Sequence, residues 1–600
     1  MDEITAAAVS GSDMGTGNPN PYDIQTGSMT AQRIAEANET LRKYKDGKKS
    51  LEETITKEEE WYKVRHIDQI REKAQDVEPV SAWLFNALAN KHAAAMDNMP
   101  SCNVLPREAG DVEEARKLSS VLPVVLDNAD FEQVYNDLQW YKQKHGTGCY
   151  GVFWDRSARN GMGDVAIRHI DLLNLFWQPG VANIQDSRNL FHVSLEDNEL
   201  LKQLYPQLAE KLGSSTIEVA KYTYDDAVDT SDKTLVVDWY YKLYEEGRTI
   251  LHYCKYIGEE PVFATEGNSE YPNGWYDDGL YPFVPDVLYP LEGVPYGFGQ
   301  IAIAKGTQEY IDHSEQAIMK NLINGATPRY FVRSDGQVNE EEFADVTKPL
   351  IHVSGQLDSG MVMPVQVRTL DGVYVTVLRD KIDELKETTG NRDVNTGGST
   401  GGVTAAAGIA AMQEAGSRLD RDANKGAYRA FKKVCTMVIE RIRQFYDQSR
   451  VFRITGEGGS MEFVSYDNSN IRPQMQPGVM GVETGYRVPV FDLEIVPQKA
   501  SPYSKMANNE LALQFYNANM FEPKNAAAAL ATLEMMDFDH KSRVVEMIQQ
   551  NAQQFAMNMN SVNANGGGSD VDIDAATNAG GESAVTAKAR QQTADMTAPV

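Results

Sequence analysis

The chain reads as a mainly helical α+β protein, and three features of its pattern carry that reading. Apolar residues recur at steps of three or four over long stretches, the mark of amphipathic helix. Short apolar and aromatic runs bounded by Gly, Pro and Asp mark paired strands. One glycine-rich break interrupts the longest helical pattern. The pattern is sharpest between Asp371 and Tyr446. There Val373–Thr389 sets Tyr374, Leu378, Ile382 and Leu385 on one stripe, with Asp371 at the N-cap position and Gly390 closing the far end. Gly390–Gly402 holds five glycines in thirteen residues, has no apolar set to bury, and reads as a mobile loop. From Val403 the period resumes through Ile409, Met412, Gly416, Leu419, Ala423, Ala427, Phe431, Val434, Val438, Ile442 and Phe445. A helix of roughly 45 residues would be about 68 Å long. That is more than one small domain needs.

From the beginning of the chain, residues 1–29 are rich in Gly, Ser, Asn, Asp and Thr and read as disordered. Helix begins near Thr30 and runs through Leu41–Lys43, then through Lys57–Lys63, where Glu58–Glu60 reads as a solvated face. Ala82–Asp97 is an apolar helix stopped by Pro100, and Ala115–Leu126 and Phe131–Lys144 are two more. Gly146–Asp155 turns into a strand whose antiparallel partner is Asp164–Ile170. Its glycines lack the GxxxxGK[ST] spacing and precede a strand, so they make a turn and not a phosphate loop. Leu235–Tyr244 and Thr249–Ile257 form a hairpin around Glu245-Glu246-Gly247. Tyr281–Pro285 is extended by its prolines, and Gly293–Gln300 reverses the chain.

Gln300–Asn324 is a second long amphipathic helix, with Ile301, Ala304, Ile311, Ile318 and Leu322 on one side and Gly325 and Pro328 as its stop. An insertion separates it from Val373, with strands at Tyr330–Val332, Leu350–Val353 and Met361–Val367 and an acidic helical turn at Asn339–Ala344. Beyond the longest helix, Val451–Ile454, Met461–Val464 and Val488–Ile495 read as strands. Helices return at Tyr503–Asn519, Asn525–Met536 and His540–Asn558, and residues 563–600 have no apolar period and read as disordered. The two amphipathic helices at 300–324 and 373–389 show no core of their own, so neighbouring copies must cover them.

Composition narrows the function. Six hundred residues point to several domains or one elongated chain, and 42% hydrophobic content with 9% aromatics belongs to a folded protein. A net charge of −29 argues against non-specific DNA binding by the whole surface. It does not exclude a channel through which DNA slides without sticking, since an acidic wall repels phosphate. The four cysteines include no CxxC pair, so neither zinc nor a disulfide framework is expected and assembly in a reducing cytoplasm fits. No apolar run of 18 residues and no signal peptide is seen, so no membrane span is expected. Nine histidines form no HExxH or HxH, and Walker A and kinase motifs are missing. Asp383 with Glu387 reads as a solvated face, and Asp277-Asp278 as a turn. No catalytic residue, metal ligand or cofactor site is expected: this is not an enzyme sequence.

The order of these parts resembles the portal proteins of tailed bacteriophages. The resemblance runs through Gly148–Asp155, Gly163–Asp171, Phe176–Gly180, Ile184–Ser187 and Tyr296–Gly299 opening a helix. It continues in the helix–loop–helix Asp371–Tyr446 and in Pro497–Pro502 before the closing helices, and covers roughly residues 30–560. It implies a portal fold with wing, stem, clip and crown regions that forms a homo-oligomeric ring, of about twelve copies. On that pattern the wing is residues 30–295, 403–450 and 451–502, the stem 296–325 and 371–389, the clip 326–370, the tunnel loop 390–402 and the crown 503–562.

The resemblance further implies double-stranded DNA in the channel, with the terminase large subunit, a head–tail adaptor and capsid or scaffold proteins as partners. The place would be the portal vertex of the virion. Asn391, Arg392, Asp393, Asn395, Thr396, Ser399 and Thr400 are the candidate DNA contacts of the tunnel loop. Ile311, Ile318, Leu322, Tyr374, Leu378, Ile382 and Leu385 are the stem-packing candidates, and Asp312, Glu315, Asp383, Glu384 and Glu387 the channel-wall candidates. Another head–tail connector or collar protein is the alternative, against which the length and the insertion between two helices speak.

Overall fold

The computed structural model describes residues 24–66, 81–213, 232–245, 247–326, 329–332, 338–345, 347–354, 362–365, 371–391, 418–455, 461–477, 483–497, 514, 517, 525–534, 544–545 and 547–555. The chain divides into two compact units, Met1–Lys499 and Ala500–Val600. Residues 1–23 and 556–600, read above as largely disordered, lie outside the described residues.

In the first unit α1 spans Ala31–Tyr62 as one helix of 32 residues, capped by Thr30, whose side chain accepts from Arg33 N. Its period carries Ile34, Leu41, Leu51 and Ile55 to one buried face, so the two helical stretches of the sequence are one. That face lies on a five-stranded sheet of order β4-β5-β6-β7-β8. The strands are β4 (Leu175–Trp177), β5 (Asn189–Asp197), β6 (Lys233–Glu245), β7 (Arg248–Ile257) and β8 (Glu260–Ala264), all antiparallel. Alternation along β6 and β7 sends Trp239, Tyr241, Cys254 and Tyr256 to α1, and Tyr240 and Tyr253 to the opposite face. The β6–β7 hairpin is the one that the sequence predicts.

Three helices, α2 (Trp83–Asp97), α3 (Val112–Asn128) and α4 (Phe131–His145), follow α1, with β1 (Pro100–Pro106) between the first two. Gly146 ends α4 in the left-handed region (φ 82). A Cβ there would meet the Phe298 backbone at 2.1 Å, so only glycine fits. The chain then enters β2 (Thr147–Asp155), which pairs with β3 (Asp164–Ile170) and β9 (Phe283–Val287). The largest core joins α3, α4, β2 and β3 to the later helix α9 (Arg418–Phe445) through Leu118, Leu138, Val152, Phe431 and Val438, all fully buried.

Between β9 and α9 the chain builds β10 (Tyr289–Pro290), β11 (Gly297–Phe298), α6 (Gln300–Ala326), β12 (Tyr330–Val332), α7 (Glu340–Ala344), β13 (Val362–Pro364) and α8 (Val373–Thr389). The short α5 (Asn198–Leu204) lies after β5. Past α9 come β14 (Arg450–Thr455), β15 (Met461–Tyr466), β16 (Gln474–Pro477), β17 (Glu483–Arg487) and β18 (Phe491–Pro497). β18 pairs with β1, Pro100 opposite Pro497, so the far end of the unit returns to its early helices. The sequence reading has no strand at β1, β16 or β17, and it starts the last strand at Val488 where the ladder begins at Phe491. In the second unit α10 (Ala526–Glu534) packs Ala526, Ala529 and Leu533 against Ile548, and residues 547–555 are helical. Most of Tyr503–Asn519 lies outside the described residues.

One surface expectation is overturned. Glu58 and Glu59 do not form a solvated face: both are buried against the end of α4. Glu58 Oε2 lies 3.1 Å from His145 Nδ1, and Glu59 Oε2 lies 2.7 Å from Lys144 Nζ and 3.4 Å from His145 Nε2. Two carboxylates become tolerable under the fold because two donors, distant in sequence, meet them there. Burial alone would raise the Glu59 carboxyl, but the His145 hydrogen bond and the Lys144 charge outweigh it and bring it down to about 2. The folded value lies below the ordinary 4.5. The clamp therefore stabilises fully above that pH and is lost as pH falls through the folded value. Thermal melting should fall more steeply with acid in the native chain than in Glu59→Gln, between about pH 5 and about pH 2. Parallel melting curves would contradict the clamp.

Candidate channel and subunit-contact helices

The residues singled out in the sequence converge on two helices, α6 and α8, which pack together. α8 has the bounds that the sequence suggests, Val373–Thr389, but its cap lies one residue later. Gly372 is its N-cap and Asp371 serves through its backbone carbonyl, which accepts from Tyr374 N at 3.1 Å, so the Asp371 side chain is not the cap. At the other end Gly390 turns left-handed (φ 70), and Gly390 N and Asn391 N donate to Glu387 O and Lys386 O. Asn391 is buried in that cap, so within the subunit it is not free to meet DNA.

The lower part of the pair has a core after all. Ile311 and Leu385 are fully buried with Ala87 of α2, and Trp83, Leu378 and Ile382 pack around them. Each such side chain contributes about 1.5–3 kcal/mol. The expectation of two helices without a core of their own thus fails for this half. The reason is α2, whose small Ala87 admits both helices.

Beside this cluster Asp312 and Gln308, one turn apart on α6, are buried polar residues. Asp312 Oδ2 meets His66 Nε2 at 2.8 Å, and its Oδ1 accepts from Ser81 Oγ and Gln308 Nε2, each at 2.9 Å. Gln308 Oε1 accepts from Leu84 N at 3.1 Å. That N–H is one of the orphan donors at the start of α2, where Ala82 offers no side-chain cap. Asp312 is therefore not a channel-wall residue: it ties α6 to the end of α1 and the start of α2. A polar pair at i and i+4 on the stripe of Ala304 and Ile311 was the signal in the sequence. Of the other acidic candidates, Asp383, Glu384 and Glu387 are exposed on α8, with Glu384 2.6 Å from Lys381. Glu315 is half-buried, and burial together with the Asp312 charge raises its carboxyl.

The upper half of the pair is open. Leu322 is 62% exposed and Tyr374 50%, with Ile318 half-buried between core and solvent. Tyr310, Val373 and Val377 add to the exposed apolar surface. The insertion also exposes apolar side chains. β12 pairs with β13 and leaves Phe331 and Met363 exposed. The strand expected at Leu350–Val353 is reduced to a single bridge, Val338 to Val353, and Leu350 is exposed too. The acidic turn is α7, capped by Asn339, whose side chain accepts from Glu342 N.

Residues 392–417 lie outside the described residues, and with them Arg392, Asp393, Asn395, Thr396, Ser399 and Thr400. The ends of that segment are neighbours. A Cβ on Gly390 would stand 3.0 Å from Leu419 Cδ1 and 3.1 Å from Lys91 Nζ, while Lys91 Nζ holds Asp420 at 2.6 Å. The buried Lys91, a single cation in the apolar stretch of α2, was not recognised in the sequence as an anchor. The end of α8 and the start of α9 thus lie side by side, and the insertion falls between α6 and α8.

The family model of the phage P22-like portal protein matches residues 94–598. The chain belongs to that family. This portal protein is thus a bacteriophage capsid component of viral DNA packaging. No curated protein matches it. The matched span holds every channel and contact candidate, whereas α1 and most of α2 precede it. Among the described residues of the portal protein, no helix is long and apolar enough to cross a membrane. Among the same residues, no group of three His, Cys, Asp or Glu side chains could hold a metal ion.

Proposed function

We propose that this portal protein closes into a ring, of about twelve copies, at one capsid vertex, and that double-stranded DNA passes through its centre during packaging and ejection. The observation that carries the reading is the number of large apolar side chains left exposed, Tyr310, Leu322 and Val373 on α6 and α8 and Phe331 and Leu350 in the insertion. A soluble monomer rarely leaves so many open, and neighbouring copies in a ring would cover them. On this reading α6 and α8 are the stem, and Asp383, Glu384 and Glu387, with the half-buried Glu315, supply a negative wall. A negative wall keeps phosphate from lodging on fixed cations. Residues 326–370 are the clip that meets the terminase large subunit and later a head–tail adaptor. Residues 503–562 are the crown, and the wing meets capsid or scaffold proteins as the ring assembles in the host cytoplasm. The protein works as a conduit and not as an enzyme, without metal or cofactor.

The tunnel loop, residues 390–402, is the part proposed to touch DNA, through Arg392 and the hydroxyls of Thr396, Ser399 and Thr400. Deleting residues 397–401 should leave oligomer assembly intact and reduce the genome content of particles built with the variant. Full heads of normal density would reject the DNA-contact role.

A further inference from the structure

Away from the stem, a hollow of about 420 Å³ opens between the five-stranded sheet and the β2–β3 sheet. Its aromatic wall includes Trp154, Phe263 and Trp275, the last stacked on Tyr253 with ring centres 4.5 Å apart. Three cations stand at it, Arg156, Arg168 and Lys255, against two acids, Asp155 and Asp238. Lys255 lies against Asp238, so the positive charge open to a ligand at this end is that of Arg156 and Arg168.

The two acids are already engaged. Asp238 accepts from Tyr253 Oη at 2.6 Å, and His192 Nδ1 and Lys255 Nζ lie 3.4 and 3.9 Å from it. Burial alone would raise its carboxyl; Lys255 and His192 outweigh that and hold it below the ordinary range. Asp155 accepts from Ser157 N at 2.9 Å and from Ser157 Oγ at 2.6 Å. Arg156 spreads over Tyr271 and Trp275, 5.4 and 6.0 Å from the ring centres, and donates to the Tyr271 hydroxyl. Arg168 is exposed on β3 and has no partner among the described residues. An anion entering here finds an unpaired guanidinium beside aromatic faces.

A second hollow, about 490 Å³, shares Trp154, Arg156 and Ser157 with the first, so the two form one trough bent around Arg156. Its other lining includes Glu270, Asp447 and Gln448. A polynucleotide laid along the trough would bring its next phosphates against Glu270 and Asp447. A peptide carries charge only where its side chains do, and its backbone could use the Gln448 amide and the Ser157 hydroxyl. We propose that this trough binds an acidic peptide segment bearing an aromatic side chain, the carboxylates at Arg168 and the ring against Trp275 and Phe263.

The test titrates the full-length protein with acetyl-Glu-Asp-Tyr-Glu-Phe-amide, read by intrinsic tryptophan fluorescence. Saturable binding is expected, weakened at least about tenfold in Arg168→Ala. It should also be lost for a peptide with lysine in place of each acid. Ser157→Trp, which fills the junction of the hollows from the exposed side, should abolish binding independently of charge. Circular dichroism and the oligomeric state of both variants are to match the native protein. Absence of saturable binding, or equal binding by the native protein and both variants, would overturn the proposal. Displacement of the peptide by adenosine monophosphate or inorganic phosphate at equal concentration would make this a phosphate site instead. Loss of oligomer in Arg168→Ala would make the trough a contact between copies of the chain, and would equally overturn it.

Discussion

Asp312→Ala is expected to loosen the junction of α1, α2 and α6 by about 3 kcal/mol, one of the largest effects that a single side chain in this protein should have. The carboxylate lies buried, with His66, Ser81 and Gln308 all directed at it. Removing it strands the buried His66 Nε2 and takes one partner from Ser81 Oγ and from Gln308 Nε2, although Gln308 Nε2 keeps Ser81 O at 3.0 Å. Hydrogen exchange of the α2 segment, residues 83–97, should speed up by about a hundredfold. Asp312→Asn, which keeps one acceptor oxygen, should cost less. Unchanged exchange in Asp312→Ala would mean that the carboxylate faces water after all, as a channel-wall residue would.

Leu322→Asp, alone or with Tyr374→Asp, should prevent oligomer assembly while leaving the subunit folded. Both side chains are at least half exposed, so a carboxylate costs the isolated subunit little. In a ring the same position would be covered by a neighbour, and an unpaired buried charge there should cost several kcal/mol at every interface. Leu378→Asp should behave differently. Leu378 packs beside the buried Ile311 and Leu385, so the variant should also unfold the cluster that joins α2, α6 and α8. Size-exclusion chromatography with circular dichroism separates the two outcomes. Native-sized oligomers from the Leu322→Asp, Tyr374→Asp double variant would refute the assignment of this surface as the contact.

Much of the scaffold was legible because local rules decide it. The β2–β3 and β6–β7 pairs are close in sequence and bounded by turns, and α6 and α8 declare themselves by period and by Gly390. The β1–β18 pair was not legible, because Pro100 and Pro497 meet through the fold and neither strand carries a turn that names its partner. The buried acids escaped for the same reason. Glu58 and Glu59 look like any charged helix face until Lys144 and His145 are brought against them. Asp312 looks like a wall residue until Ser81 and His66 reach it. Of the contact candidates, period alone placed Ile311, Ile318, Leu322 and Leu385 on one face of each helix. It could not show that α2 covers the first and last of them and leaves Leu322 open.

Imaging the purified full-length protein by electron microscopy tests the proposed ring most directly, because the exposed apolar side chains of α6, α8 and the insertion should then have found their cover. The account predicts closed rings with a central hole, the α6–α8 pairs lining it and Leu322 against a neighbouring copy. Compact monomers, or oligomers without a hole in which Leu322 and Tyr374 remain in solvent, would contradict it.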